Sequence, residues 1–341
     1  MKIVHVSNFT LRKDGANWYG IPYKLSNGFT RLGHYVFNFS DRDVANANPL
    51  RVRALGFGRA NKKLLGVCRE VQPDLLLLGH CGIISEKTIF SVRKAVPHIR
   101  IAHWNCDPLF WDRNLNYLRA WAPLVDATFV TTAGDELKKV VNRGGRVAFM
   151  PNPVDKSIES LRVFENPAPE NDLVFLSGLR AFDDEKLEKC KLIKARLPGL
   201  KFDVRGLFDK PGVFGTALFE VLADAKMGLN LSKRNDVYLY SSDRMSQLMG
   251  CGLMTITDAR SRFSEIFGAD ELVTYSDDRE MIDKIDFYRK HDNGRRAIAE
   301  RGWRRAHEVF AETLVAQWIE DLTFDRPQSH GYVWPTQTYT A

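Results

Sequence analysis

Short apolar segments recur along this chain, and segments with helical spacing separate them. This alternation constrains the fold more than any other feature of the sequence. The first series of strand-like segments covers residues 3–6, 35–39, 75–78, 101–103 and 127–131. The helix-like segments of this half cover residues 23–32, 62–71, 86–96 and 135–142. Short buried strands separated by helices predict a parallel, doubly wound α/β sheet.

The same alternation begins again in the second half, with strand-like segments at residues 174–177, 201–205, 227–231, 253–257 and 272–275. Met150-Pro-Asn-Pro153 separates the two series, and prolines interrupt regular structure there. We predict two Rossmann-like domains, residues 1–150 and 151–324. Residues 325–341, here called the C-terminal segment, contain prolines and aromatic residues without periodicity. They either wrap back across the first domain or are disordered.

The cysteines and the hydropathy pattern indicate the cellular location of the protein. The five cysteines are odd in number, scattered, and form no C-x-x-C pair. This pattern predicts a reducing cytoplasm and no structural zinc site. No apolar stretch approaches the roughly 20 residues that cross a bilayer, and the N-terminus is typical of a strand rather than a signal peptide. We expect a cytoplasmic protein, either free or peripheral on the inner face of the membrane.

The net charge of +7 is unevenly distributed. Residues 1–150 contain 22 Lys and Arg against 11 Asp and Glu, whereas residues 151–341 contain 27 against 31. The first half should therefore attract anions. No nucleic-acid-binding signature accompanies this charge, so nucleic acid is not expected. An anionic acceptor, an anionic membrane face, or a generally solvated basic surface each explains the asymmetry.

A polar loop, residues 240–243, precedes a short helix that Gly250-Cys-Gly252 closes, and an apolar strand follows. Backbone N–H groups and Arg244 beside a helix start favour a phosphate-bearing ligand. Gln247 lies one turn beyond Arg244, so both side chains can face one cleft. A capped helix that enters a buried strand and binds nothing explains this segment alone equally well.

The segment Arg244-Met-Ser-Gln-Leu-Met-Gly-Cys-Gly-Leu-Met-Thr255 resembles the R-x-F-E-x-x-A-C-G-G-L-x-x-T element of GT-B glycosyltransferases, especially the CgeB-like branch of the glycosyl-transferases group 1 superfamily. The resemblance implies two Rossmann-like domains that face each other across a cleft. Gln247 stands where the family has a ribose-binding glutamate, and a glutamate there should be tolerated. Leu239 stands where retaining families have their first glutamate, so the stereochemical outcome is not inherited.

The resemblance also implies which side chains bind a nucleotide-sugar donor, which is a co-substrate; no other cofactor and no metal are expected. Asp41-Arg-Asp43 has the spacing of a D-x-D metal motif but follows a strand, and we predict a loop end there. The expected donor-binding residues are Gly15, Arg180, Lys186, Arg205, Asn230, Ser232, Tyr240, Ser242, Arg244 and Gln247. For Arg205 and Asn230 a purely strand-capping role is a similarly good interpretation.

Three polar residues of the first half follow predicted strands. His80 ends one strand, His103 ends the next, and Asp107 comes shortly after it. Such positions should open onto the ligand cleft of a doubly wound fold. The histidines could transfer a proton, and Asp107 could act as the base toward an acceptor hydroxyl. Asp107 also resembles the W-x-x-D element of CgeB-like proteins. A structural role at the strand end is the alternative for each.

The sequence thus predicts a GT-B glycosyltransferase that moves a sugar from a nucleotide sugar to a glycan, a lipid-linked or a protein acceptor. Two alternatives stay open. A GT-B nucleotide-sugar epimerase would isomerise the donor without an acceptor. A non-catalytic protein that binds sugar nucleotides or glycans would consume nothing, and Gln247 and Leu239 are compatible with such a loss of chemistry.

Overall fold

The computed structural model describes residues 1–47, 53–178 and 184–341. The strands in these residues are β1 Lys2–Ser7, β2 Tyr35–Ser40, β3 Leu75–Gly79, β4 Arg100–Asn105, β5 Ala127–Val130, β6 Arg146–Phe149, β7 Asn171–Leu176, β8 Phe202–Arg205, β9 Ala225–Asn230, β10 Met254–Asp258, β11 Val273–Tyr275 and β12 Thr338–Tyr339. The α-helices are α1 Ile21–Arg31, α2 Asp41–Asn46, α3 Phe57–Val71, α4 Glu86–Ala95, α5 Asp112–Trp121, α6 Asp184–Arg196, α7 Thr216–Ala223, α8 Arg244–Gly250, α9 Asp278–Lys290, α10 Asp292–Val309 and α11 Glu312–Thr323. Strands and helices alternate in both halves, as the sequence predicts.

The chain forms two compact units. The first unit comprises Met1–Pro151 and Glu312–Ala341, and the second comprises Asn152–Ala311. The boundary falls inside the predicted hinge. The C-terminal end differs from the prediction: residues 312–324 belong to the first unit, because α11 packs against α1. The C-terminal segment also returns to the first unit, where β12 pairs with β6.

The sheet of the first unit has the strand order β12-β6-β5-β4-β3-β1-β2. All neighbours are parallel except β12, which runs antiparallel to β6. Every residue of β3 is buried, as expected for a parallel strand whose two faces are covered. The chain order reverses between β1 and β3. In such sheets ligands bind beyond the carboxyl ends of the strands at this switch point.

The sheet of the second unit is parallel throughout and has the order β11-β10-β9-β7-β8. Its switch point lies between β7 and β9. The strands pack against α9 and α10 through a core that includes Phe175, Met227, Tyr275 and Ile285. This sheet repeats the strand order of the first unit without the sixth strand and the antiparallel edge strand.

Local sequence determines where several helices begin. Ser85 caps α4, since its hydroxyl accepts a hydrogen bond from the Thr88 N–H. At α9 the Asp277 carboxylate accepts from the Glu280 N–H at 2.8 Å, and the Glu280 carboxylate accepts from the Ser276 N–H at 2.7 Å. This nearly reciprocal arrangement satisfies two donors that a helix start would otherwise leave unpaired.

Two local predictions need correction. The predicted helix at residues 135–142 is a shorter 3-10 helix, Gly134–Lys139. The Asp41-Arg-Asp43 segment is not a loop end but the first turn of α2, where acidic side chains complement the helix dipole. The Asp43 carboxylate accepts hydrogen bonds from the Leu11 N–H and the Ser40 hydroxyl.

None of the described helices has the length and apolar composition that crossing a membrane requires.

Candidate functional site

A cavity of about 360 Å³ opens at the carboxyl edge of the first unit's sheet. We call it the first-unit pocket. The residues that line it come from the segments after β2, β3 and β4 and from α5: Arg42, His80, Gly82, Asn105, Asp107, Trp111, Arg113, Asn114 and Tyr117. Two of the three predicted catalytic residues, His80 and Asp107, are therefore brought together here.

Trp104 in β4 positions His80. Its indole lies against Gly79, where an added Cβ would be 2.0 Å from the ring, so only glycine fits. The same indole packs edge-on against the His80 ring at a centroid distance of 5.3 Å. Its Nε1–H donates to Nε2 of the buried His5 at 3.1 Å. His80 itself adopts a left-handed backbone conformation with φ of 50°, so packing and backbone both orient its ring.

His80 contacts two neighbours at the pocket. Its Nε2 lies 3.0 Å from Sγ of Cys106, and its Nδ1 lies 3.7 Å from a carboxylate oxygen of Asp107. Burial lowers the pKa of His80; Asp107 raises it in part, and Arg42 lowers it further. The imidazole is therefore neutral at neutral pH. A neutral ring can accept a proton or hydrogen-bond a hydroxyl, but it contributes no positive charge.

Asp107 has an accessible carboxylate on a loop whose backbone is hydrogen-bonded. Its side chain is 46% exposed, and the carboxylate forms no hydrogen bond within the described residues. The backbone is held in contrast: the Asp107 N–H donates to Oδ1 of Asn105 at 2.8 Å, and Asn114 donates to the Asp107 carbonyl at 3.0 Å. The loop thus presents a carboxylate free to accept a proton from a bound hydroxyl.

His103 does not open onto the pocket, contrary to the expectation for its strand-end position. The side chain is fully buried and stacks on Trp121. Burial, with a smaller contribution from His80, lowers the pKa of His103 to about 3. The reason is geometric: His103 lies two residues before the end of β4, so its side chain points into the layer between sheet and helices rather than toward the carboxyl edge.

Several residues that line the pocket were not predicted. Arg42 lies within the segment with D-x-D spacing, and Asn105 lies between the predicted residues His103 and Asp107. Their positions directly after β2 and at the end of β4 were the available signal. Trp111 and Arg113 had no such signal, because their approach to the pocket depends on where α5 begins.

In the second unit, Arg244 lies at the switch point. Its Nε donates to the carbonyl of Leu176 at the end of β7, and its Nη1 donates to the carbonyl of Leu231 beyond β9 at 2.7 Å. The guanidinium also lies over the Phe175 ring, 4.9 Å from its centroid. Arg244 thus joins the two strands at the crevice where a doubly wound sheet binds ligands, and it places a positive charge there.

The other predicted residues near Arg244 form a polar cluster. The Asn230 amide donates to the Thr257 hydroxyl at 3.1 Å and accepts from the Ser241 hydroxyl at 3.3 Å. The Ser232 N–H donates to the Asn235 side chain at 2.9 Å. The Ser242 hydroxyl is buried and has no hydrogen-bond partner in the described residues. A buried hydroxyl without a partner is uncommon, and a bound ligand would satisfy it.

Gln247 and Tyr240 are both buried. The Gln247 amide donates to the Asp243 carboxylate at 3.0 Å, one helical turn earlier. The Tyr240 N–H donates to the carbonyl of Val237 at 3.2 Å. A glutamate at position 247, as in the motif that this segment resembles, would place a second carboxylate against Asp243. A glutamine avoids this repulsion and donates a hydrogen bond instead.

The remaining predicted donor residues are Arg205, Lys186, Gly15 and Arg180. Arg205, at the end of β8, donates from Nε to both carboxylate oxygens of Asp203 in the same strand. Lys186 is buried in α6. Gly15, with φ of 75°, lies in a turn of the first unit. Arg180 lies outside the described residues. Among the residues that the structure describes, no group of three or more His, Cys, Asp or Glu side chains could hold a metal ion.

The chain matches a known family in part. Residues 188–322 match the family model described as glycosyl transferase-like, a range that includes the Arg244–Gly250 helix and the strand after it. No curated protein matches the chain.

Solved structures are similar over almost the whole chain. Sucrose-phosphate synthase from Thermosynechococcus elongatus is 13% identical, with 95% of this chain and 98% of that chain covered and a TM-score of 0.63. HepE from Anabaena, crystallised with UDP-glucose, is 12% identical, with 95% and 100% covered and a TM-score of 0.60. AviGT4, a glycosyltransferase involved in avilamycin A biosynthesis, is 15% identical, with 95% and 97% covered and a TM-score of 0.59.

These likenesses establish the fold. The predicted class is confirmed: the chain is an α/β protein of the GT-B type with two doubly wound, Rossmann-like units. It contains a glycosyl transferase-like region at residues 188–322.

Proposed function

We propose that this protein is a glycosyltransferase that moves a sugar from a nucleotide sugar to a hydroxyl of a glycan, a lipid-linked or a protein acceptor. The second unit binds the donor at its switch point, and the first-unit pocket binds the acceptor. The CgeB-like branch remains part of this proposal. So do the cytoplasmic location, the peripheral membrane contact and the independence of metal ions, which rest on cysteine usage, charge and motif content.

The position of Arg244 is the observation that carries the proposal. The segment that resembles glycosyltransferases folds so that this arginine lies across the ends of β7 and β9, inside the region that matches the glycosyl transferase-like model. Its charge would stabilise the diphosphate as the sugar leaves. The Ser242 hydroxyl, which has no hydrogen-bond partner among the described residues, supplies a further donor for the same ligand. The structures similar to this one include a complex with UDP-glucose, which makes UDP-glucose the first donor to test.

The acceptor reaction needs a base, and Asp107 fits that role. The bond between the anomeric carbon and the diphosphate oxygen breaks, and the acceptor oxygen bonds to that carbon. The acceptor proton passes to the Asp107 carboxylate, which is accessible and not hydrogen-bonded in the described residues. Neutral His80, 3.7 Å away, can hold the acceptor hydroxyl in place by a hydrogen bond.

Asp107→Asn tests this assignment. We expect turnover to fall by about 10² or more, because positioned proton transfer contributes about 10² to 10⁴ in rate. Donor affinity, measured by calorimetry with UDP-glucose and with GDP-, ADP- and TDP-sugars, should not change. The melting temperature should also hold, since the backbone contacts of residue 107 survive the substitution.

Asp112→Asn is the matched control, because Asp112 is exposed, lies on the same segment and does not line the pocket. Its turnover should stay near that of the wild type. Normal turnover in Asp107→Asn would remove Asp107 from the mechanism and leave His80 as the candidate base. Isomerisation of the donor without an acceptor would favour the epimerase, and binding without consumption would favour a non-catalytic protein.

A further inference from the structure

The first-unit pocket contains two arginines, Arg42 and Arg113, that form no ion pair with any carboxylate in the part of the chain that the structure describes. Arg113 lies in the first turn of α5, is exposed, and forms neither a hydrogen bond nor an ion pair through its side chain within the described residues. The guanidinium of Arg42 donates to the carbonyl of His80 at 3.3 Å, and no described carboxylate pairs with it. Elsewhere in the unit Arg12 pairs with Asp43.

The charge of the lining is therefore positive. Among the described residues that line it, Asp107 contributes one carboxylate and Arg42 and Arg113 contribute two guanidinium groups. His80 adds no charge at neutral pH because burial lowers its pKa. An excess of one positive charge inside a concave site concentrates anions there more effectively than the same charge on a convex surface. A guanidinium is also the side chain best suited to phosphate and carboxylate groups, since its N–H donors match their oxygens in pairs.

The same pocket offers an apolar face and a rigid frame. Trp111 is 41% exposed and lines the pocket, so its indole can pack against the apolar side of a ring. The loop that carries Trp111 and Asp107 is held by two reciprocal amide hydrogen bonds between Asn105 and Asn114, at 3.1 and 3.2 Å. A frame that is ordered before binding reduces the entropy lost when a ligand is held.

We infer that the acceptor carries an anionic group, a phosphate or a carboxylate, which Arg42 and Arg113 bind while Trp111 packs against its ring and a hydroxyl reaches Asp107. The identification of this ligand as the acceptor rests on the proposed function. The anion site itself does not. The cavity of about 360 Å³ is of the size that holds a single small-molecule ligand, so the anionic group and the reacting hydroxyl lie on one sugar unit or on adjacent units.

The test measures binding of glucose 6-phosphate, glucuronate and neutral glucose to the full chain by calorimetry, with UDP in excess to occupy a nucleotide site. At least one of the two anions should bind at least 10-fold more tightly than glucose. Arg113→Gln should reduce that preference by about 10-fold and leave glucose binding unchanged. Glucose 6-phosphate and glucuronate separate a phosphate from a carboxylate as the preferred group.

Arg119→Gln is the control, since Arg119 is also exposed on α5 but does not line the pocket. It should retain the full preference for anions. Equal affinity for all three sugars, or an unchanged preference in Arg113→Gln, would overturn the inference. Arg113→Gln and Arg119→Gln should both fold, because the native arginine side chains make no hydrogen bond or ion pair within the described residues.

Nucleotide binding distinguishes this inference from the proposed function. Arg244→Ala in the second unit should weaken UDP binding and leave the binding of anionic sugars unchanged. If no nucleotide or nucleotide sugar binds while anionic sugars still bind through Arg113, the glycosyltransferase proposal fails and the anion site stands. If nucleotides bind and anionic sugars show no preference, the anion site fails alone.

Discussion

His103 is a fully buried imidazole with no hydrogen-bond partner for either ring nitrogen in the described part of the chain. Its ring stacks on Trp121, at a centroid distance of 5.7 Å and an angle of 24° between planes. A buried polar group without a partner costs free energy, and a charged one costs more. The fold therefore keeps His103 neutral, and its pKa falls to about 3.

Replacement of His103 by phenylalanine should reduce the acid sensitivity of the protein. The unfolded chain binds a proton at this residue below its ordinary pKa of 6.5, whereas the folded chain does not until about pH 3. The free energy of unfolding therefore falls as pH falls from about 6.5 toward 3. By pH 5 this histidine accounts for about 2 kcal/mol of that loss. Urea denaturation at pH 7.5 and 5.0 should show a smaller decrease for His103→Phe than for the wild type.

At pH 7.5 the His103→Phe variant should be at least as stable as the wild type, because it removes two unpartnered nitrogens and keeps a flat ring on Trp121. His98→Phe is the control, since His98 is exposed, and it should retain the wild-type pH dependence. An identical pH dependence in His103→Phe and the wild type would show that folding does not lower the pKa of His103.

Gln247→Glu shows how tertiary contacts change an expectation from family resemblance. The sequence predicts that a glutamate is tolerated at this position. In the structure the Gln247 amide donates to the Asp243 carboxylate at 3.0 Å, and a glutamate there would face a like charge in a buried place. We expect a loss of about 1 to 3 kcal/mol in unfolding free energy at pH 8, and a smaller loss at pH 5, because protonation of a carboxyl group relieves the like-charge contact.

The double variant Asp243→Asn with Gln247→Glu should recover most of this loss, because the asparagine amide can donate to the new carboxylate. Denaturation of the two variants and the wild type at both pH values gives the comparison. A single variant as stable as the wild type at pH 8 would mean that α8 relaxes enough to separate the two carboxylates.

The contact between α1 and α11 decides the extent of the first unit. Gly28 in α1 approaches α11 so closely that an added Cβ would lie 2.3 Å from the carbonyl oxygen of Glu312 and 3.0 Å from the Cβ of Ala316. The helix backbones meet at a position where only glycine fits. This contact places α11, although it is distant in sequence, on the first half of the chain.

Gly28→Ala should lower the free energy of unfolding by about 1 to 3 kcal/mol, since overpacking forces the two helices apart. Gly66→Ala in α3 is the matched control, because nothing lies within 4 Å of its added Cβ. That variant should gain roughly 0.5 to 1 kcal/mol from better helix propensity. Thermal or urea denaturation measures the change in unfolding free energy for both variants. A decrease in Gly28→Ala with an increase in Gly66→Ala would confirm the contact, and an increase in Gly28→Ala would contradict it.

The C-terminal segment completes the first unit and is not an appendage. Trp334 and Tyr339 in it are buried. The buried Asp321 carboxylate accepts hydrogen bonds from the Ser329 N–H at 2.9 Å and the Tyr332 hydroxyl at 2.9 Å. Burial alone would raise the pKa of Asp321, but these hydrogen bonds, chiefly from Ser329, outweigh it and keep the pKa low. β12 also covers the edge of β6, which would otherwise be open for pairing.

A chain that ends at Phe324 should be less stable by at least about 3 kcal/mol, the usual cost of removing one buried tryptophan. It should also form oligomers that elute earlier in size-exclusion chromatography, because the edge of β6 and the Asp321 carboxylate lose their partners. A chain that ends at Tyr339 removes only two exposed residues and should behave as the wild type. A Phe324 truncation with unchanged melting temperature would show that the segment adds nothing to the fold.

Much of the fold could be predicted from periodicity. Ten strand segments and the hinge were predicted, and each corresponds to a strand or to the boundary between units. Strands such as β3, Leu75–Gly79, are nearly continuous apolar runs, which is the pattern of a parallel strand covered on both faces. β6 and β12 were missed, because Arg146–Phe149 is short and Thr338–Tyr339 is a strand only through its pairing with β6.

Local sequence thus determined the α/β class, two doubly wound units, and the polar residues that follow the strands. These properties depend on side-chain alternation and on glycine and proline within a few residues of each other. Tertiary structure alone decided that His103 is buried while Asp107 is accessible, that Arg244 joins β7 to β9, and that Arg42, Trp111 and Arg113 share a pocket. Those outcomes depend on contacts between residues distant in sequence, where strand register and helix position, not composition, set the distance between two side chains.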